Sequence, residues 1–144
     1  MSIHFLLHLV ESLIQLSMVI MVGLYFTFSN TVMTCLGKIE SGADVMVEIN
    51  RVILNPVFMA VFWISGLGSL YLVVTAKGLV FIAALVFLVG TTLVTIVKNV
   101  PLNKQLQDAG AERERVWRRY LDKWVFWNHV RTVAAIGSAM LLVF

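Results

Sequence analysis

The chain has 144 residues, 60% of them hydrophobic and 13% charged, with a net charge of +3 at neutral pH. A soluble domain carries roughly 25% charged residues, and a small one buries only about two-thirds of its surface, so this apolar excess excludes a water-solvated domain and points to a bilayer. The single cysteine, Cys35, excludes an internal disulfide and a cysteine-ligated zinc cluster.

Four apolar runs stand out, at residues 3–36, 56–76, 78–97 and 124–144. Each meets the length of about 20 residues that a helix needs to cross a bilayer. None alternates with period two, so helices are favoured over barrel strands. The predicted fold is all-α: a four-helix transmembrane bundle with an amphipathic cytoplasmic helical extension before the fourth helix, in one domain covering residues 1–144.

The first run holds one charge, Glu11. It lacks a basic start and exceeds the roughly 7–15 apolar residues of a cleaved signal, so it reads as a retained segment. At about 1.5 Å per residue it is also longer than one crossing requires, and must tilt, kink or project. His4, His8, Glu11 and Gln15 fall within about a 60° sector of one helical face. Three readings are open. His4, His8 and Glu11 are candidate ligands for zinc, copper or iron, or Glu11 is a buried hydrogen-bonding or proton-handling carboxylate, or, if the first turns project from the bilayer, His4 and His8 are ordinary solvent-exposed histidines.

Asn55-Pro56 is a start signal for the second helix, with Asn55 as cap and Pro56 at the first position. Within that helix Ser65, Gly66, Gly68 and Ser69 are small enough to let a neighbour approach closely. "TAKG" is a tight hairpin to the third helix, where Thr91, Thr95 and Asn99 form an i, i+4, i+8 row. Pro101 is expected to end or kink that helix. A long hydrophilic stretch comes next, returning to a helical pattern from about Ala111.

Of the 11 Lys and Arg, nine lie in the first and third connections, Lys77 lies on the opposite side and Arg131 lies inside the fourth run. The positive-inside rule therefore puts those two connections in the cytoplasm and both termini outside, in a multi-pass protein of the inner (plasma) membrane. The arginines alternate with Glu112, Glu114 and Asp122, which argues against nucleic acid as a partner.

The fourth run opens with "KWVFWNHVRT", placing Asn128, His129 and Arg131 where a span begins. Trp117, Tyr120, Trp124, Trp127, Asn128 and Arg131 share one helical face, with His129 about 100° from Asn128. The aromatics suit either an interfacial belt or the wall of a pocket for a flat ligand. Asn30, Asn55, Asn99, Asn103, Asn128, His129 and Arg131 approach the same membrane level, as helix caps and a snorkelling arginine or as a polar site.

"GLYFTFSNTVMTCL", "EINRVILNPVFM", "KNVPLNKQL" and "W..Y...W..WNHVRT" resemble the signature blocks of a four-helix membrane-protein family that includes the anthrone oxygenases of polyketide pathways. The positions that carry the likeness are Asn30, Asn50, Asn55, Asn99, Asn103, Trp117, Trp124, Trp127, Asn128, His129 and Arg131. The resemblance implies oxidation of an anthrone-like aromatic carbon by O2 to a quinone, without an organic cofactor. His129 would then be the base, with Arg131, Asn128 and Asn99 as oxyanion donors and Trp124 and Trp127 stacked on the rings. The catalytic candidates are thus His129, Arg131 and Glu11. The substrate-binding candidates are Asn30, Asn99, Asn128, Tyr120, Trp124 and Trp127.

Two other classes fit the same residues. One is a membrane redox protein holding haem or copper through His4, His8 or His129. The other is a non-catalytic membrane binding or partner subunit. The expected partners are the bilayer and a small apolar aromatic ligand, and a homo-oligomer is left open. No phosphate loop, nucleophilic triad or dinucleotide fingerprint is present, which removes hydrolases and dehydrogenases.

Overall fold

The computed structural model describes residues 2–144, and among these it is helical with no strand. Five helices succeed one another: α1 (Ile3–Leu36), α2 (Gly42–Val52), α3 (Pro56–Thr75), α4 (Gly78–Gln107) and α5 (Arg113–Val143). Three of them, α1, α3 and α4, are long and apolar enough to cross a membrane, as befits a membrane protein. The fourth apolar run is part of α5. That helix is 31 residues long, but its first half is charged and Asn128, His129 and Arg131 dilute the second, so composition alone does not make it a span.

The sequence reads residues 42–52 as part of a connection, whereas they form α2. Met46, Ile49 and Ile53 recur at helical spacing, but eleven residues make too short a segment to register beside the 20-residue runs. A turn at Gly110–Glu112 leads into α5, close to the expected helical restart.

The helix ends reflect local chemistry. Asn55 Oδ1 accepts from the N–H groups of Val57 (3.1 Å) and Phe58 (3.0 Å), with Pro56 at the first helical position. The α3–α4 hairpin turns through Ala76 and Lys77 onto Gly78, whose φ of +63° is open to glycine at no steric cost.

Pro101 neither ends nor breaks its helix. A proline ring clashes with the carbonyl four residues back in a regular α-helix. Here wide i→i+5 turns at Leu88–Leu93 and Thr95–Asn99 precede it, and a backbone widened over Thr95–Asn99 makes room for the ring. A third wide turn, Phe28–Val32, interrupts α1.

α1 packs against α3 and α5, and α4 packs against the same two helices, while α2 lies across the ends of α4 and α5. Ser65, Gly66, Gly68 and Ser69 are all buried. A Cβ added at Gly66 would meet Thr92 Cγ2 at 2.9 Å, one at Gly68 would meet Ile14 Cγ1 at 2.5 Å, and one at Gly90 would overlap the Ala134 methyl. Close helix approach is therefore built on missing side chains. Two apolar clusters result. One, around Met18, Met21, Leu72 and Phe87, fills the half with the hairpin; the other, around Met46, Leu106, Trp117 and Tyr120, fills the half under α2. Outward-facing Leu13, Leu67 and Val89 are exposed, as lipid-facing residues would be.

Gly90→Leu should lower the melting temperature of the detergent-purified protein, by the equivalent of about 1–3 kcal/mol of overpacking. Gly137→Leu, at a position whose added Cβ meets nothing within 4 Å, should melt close to wild type.

Candidate active site

The buried face of α5 carries Trp117, Tyr120, Trp124, Asn128, Arg131 and Thr132. Steps of three and four keep these residues on one side of the helix. The rings of Trp117 and Tyr120 stack at 5.5 Å, and those of Tyr120 and Trp124 at 5.6 Å. The Arg131 guanidinium extends this column, 5.2 Å from the Trp124 ring and 4.5 Å from the Tyr25 ring of α1. Arg131 is only 6% exposed.

Its hydrogen bonds fix its orientation. Nη1 donates to Thr95 Oγ1 at 3.1 Å and Nη2 to Asn128 Oδ1 at 2.5 Å. Asn128 is held from the other side, because its Nδ2 donates to the Tyr25 carbonyl (3.1 Å) and to Ser29 Oγ (2.7 Å). Ser29 in turn meets Thr132 Oγ1 at 2.7 Å. The Thr95 hydroxyl donates to the Thr91 carbonyl at 2.7 Å, leaving its oxygen to receive Arg131. Side chains from α1, α4 and α5 thus place one guanidinium. Among the described residues, no carboxylate pairs with it.

Arg131 faces a cavity of about 640 Å³ walled by all five helices. Most of the wall is apolar, including Leu24, Met46, Phe58, Phe62 and Ile96. Lys104, Gln107 and Asp108 line it where α4 ends, and all three are exposed. Four side-chain atoms that are buried without a hydrogen-bond partner belong to lining residues: Asn50 Nδ2, Asn99 Oδ1, Trp124 Nε1 and Arg131 Nε. Buried polar groups are normally paired, so four orphans on residues of one cavity make it the candidate binding site. Beneath the wall, Tyr120 donates to Asn103 Oδ1 at 2.8 Å. Burial pushes its phenol well above the usual tyrosine range, so it stays a protonated donor.

Of the sequence candidates, Arg131, Asn99 and Trp124 line the cavity, while Asn128 holds Arg131 and Tyr120 supports Trp124 and Asn103. His129 does not join them. It is exposed on another side of α5, as its 100° offset from Asn128 dictates, and lines no part of the cavity. Asn30 is also exposed, its amide 3.4 Å from Thr31 Oγ1. Trp127 packs edge-on against Phe126 under the Lys98 ammonium, outside the cavity. Asn55 is a helix cap.

Glu11 does not turn inward: its side chain is 41% exposed, 3.8 Å from His8 and absent from the cavity wall. His4 and His8 are exposed, and among the described residues no three His, Cys, Asp or Glu side chains gather into a metal-binding group. Tyr25, Ser29 and Thr132 were missed by sequence reasoning. The i, i+4 spacing of Tyr25 with Ser29 and of Asn128 with Thr132 was the available signal.

The sequence profile of the anthrone oxygenases matches residues 45–141, which are 97 of the 144. The chain belongs to the anthrone oxygenase family. No curated protein and no solved structure matches it. The family match runs from Val45 in α2 into α5, so it takes in every wall of the cavity except the α1 residues Leu24, Tyr25 and Phe28. The His4–Glu11 stripe lies outside it.

Asn128→Leu leaves Arg131 Nη2 and the Tyr25 carbonyl without this partner, and should destabilise the protein by about 1–3 kcal/mol in thermal melts. His129→Ala, at an exposed position without hydrogen bonds, should stay within about 0.5 kcal/mol of wild type.

Proposed function

We propose that this protein is a membrane oxygenase that uses O2 to convert the CH2 of an anthrone-like aromatic into a carbonyl. The carrying observation is the Arg131 guanidinium, buried on the cavity wall with no carboxylate and no Nε partner among the described residues. A buried cation of this kind favours a ligand that brings the negative charge with it. An anthrone is a flat carbon acid whose deprotonation moves charge onto its carbonyl oxygen. Arg131 Nε and Trp124 Nε1 are donors for that oxyanion, in an apolar enclosure where such contacts gain strength. Asn128 and Thr95 fix the guanidinium, and the rings of Trp124 and Phe28, 5.8 Å apart, lie along the path of a planar ligand.

The reaction balances without a second reductant. Loss of one proton from the CH2 gives the enolate. Its carbon combines with O2 and a proton to form a hydroperoxide, which loses water to leave the new carbonyl. One anthrone and one O2 thus give one anthraquinone and one water. His129 and Glu11 stand away from the cavity, so neither is assigned the proton. It leaves through the polar end, where Lys104, Gln107 and Asp108 are exposed.

In this reading α5 crosses the bilayer with α1, α3 and α4 as a four-helix transmembrane bundle. The apolar substrate dissolves in the lipid, and the cavity lies toward the cytoplasmic leaflet of the plasma membrane. Both termini are outside. In a Cys35→Ser background, Lys77→Cys should react with a membrane-impermeant maleimide in intact cells, and Ala109→Cys only after permeabilisation. Labelling of Ala109→Cys from outside would reverse the orientation.

O2 uptake by purified protein given an anthrone tests the chemistry. Arg131→Gln should lose about 10²–10³-fold of the rate above the uncatalysed background, the usual cost of removing an oxyanion donor. Arg131→Lys should also be impaired, since a planar fork becomes a point charge. His129→Ala should keep its rate. A folded Arg131→Gln protein turning over like wild type would refute the assignment.

A further inference from the structure

We infer that Asn99 is a specificity residue, whose side-chain oxygen accepts a hydrogen bond from a free hydroxyl on the ligand, so that the cavity selects hydroxylated aromatics over deoxy analogues. This rests on the cavity being the substrate site and adds to it which substituent is read.

The direction of the Asn99 amide is set by its partner. Asn99 Nδ2 donates to the Trp124 carbonyl at 3.3 Å. A carbonyl only accepts, so the NH2 end must face it, and the opposite orientation would set two acceptors against each other. That fixes Oδ1, which is buried without a donor although Asn99 is only 1% exposed and lines the cavity. The other three orphans on the wall, Asn50 Nδ2, Trp124 Nε1 and Arg131 Nε, are all donors. Asn99 Oδ1 is therefore the one orphan acceptor among the described residues of the wall, and a ligand that satisfies the wall must supply a donor as well as acceptors.

Spacing makes the two demands compatible with one small molecule. Arg131 bonds Thr95, four residues before Asn99 on the same helix, and four residues of helix advance about 6 Å at most. An aromatic ring system carrying an ionised oxygen and a second, protonated hydroxyl spans that distance. A carbon–hydrogen bond in the hydroxyl's place leaves Oδ1 unpaired, and sites built to bond a hydroxyl discriminate against analogues lacking it.

Redox-quiet probes separate recognition from turnover. Binding of 1,6-dihydroxynaphthalene, whose two oxygens are about 6 Å apart, and of 2-naphthol to the detergent-purified protein is measured by quenching of tryptophan fluorescence. The diol should bind about tenfold more tightly to wild type, the worth of one buried hydrogen bond. Asn99→Leu should bring the two ligands within about threefold of each other, mainly by weakening the diol. Equal binding of the two by wild type overturns the inference without recourse to a variant. So does a folded Asn99→Leu protein that retains the full preference. An anthrone that consumes no O2 beside an intact diol preference would instead sink the oxygenase reading and leave Asn99 as a ligand-reading residue.

Discussion

Taking one arginine out of water costs several kcal/mol even after relaxation, and much of this molecule is arranged around that cost. The Tyr25 and Trp124 rings flank the Arg131 guanidinium, and desolvated cation–π contacts are worth about 2 kcal/mol. Thr95 and Asn128 take two of its donors, and hydrogen bonds to a charged group contribute about 1.5–3 kcal/mol. Those groups offset desolvation, but all are neutral. Among the described residues no carboxylate meets the charge, which is why an anionic ligand is proposed for the cavity.

The backbone is adapted to the same end. All three wide turns flank the polar layer: Phe28–Val32 begins just after Tyr25 and contains Ser29, while Leu88–Leu93 and Thr95–Asn99 carry Thr91, Thr95 and Asn99. A wide turn adds a residue per turn and rotates the rest of the helix beyond it, which breaks strict helical phase. Rows that look continuous in sequence, such as Thr91, Thr95 and Asn99, therefore divide their work. Thr91 bonds back to the Phe87 carbonyl, Thr95 receives Arg131, and Asn99 reaches across to Trp124. The polar layer lies between the two apolar clusters, where relief of its unpaired groups has to come from a ligand or from within.

Much of this was legible in the sequence because it is local. Apolar runs, the Asn55-Pro56 cap, the hairpin at Lys77 and the α5 face from Trp117 to Arg131 all arise from spacing and propensity. Whatever depends on which neighbour a face meets was not. His129 and Arg131 are two residues apart and equally plausible as chemistry, yet α1 and α4 pack against the face that bears Arg131 and leave His129 outside. The stripe on α1 has the right phase for a metal site, but among the described residues no other helix brings a carboxylate or imidazole to complete it. Pro101 would stop a regular helix, and only the wide turns ahead of it, which composition does not encode, let α4 continue.

The cavity is proposed to take its ligand as an anion because Arg131 has no counter-charge among the described residues. This central claim is tested most directly by the pH dependence of 2-naphthol affinity between about pH 6 and 8, below the ionisation of the phenol, which is near 10 for phenols such as tyrosine. If only the naphtholate binds, the apparent affinity for total ligand rises with the ionised fraction, about tenfold per pH unit, and this slope disappears in Arg131→Gln. A wild-type affinity that stays flat across that range would mean that the neutral phenol is what binds, and would contradict the account.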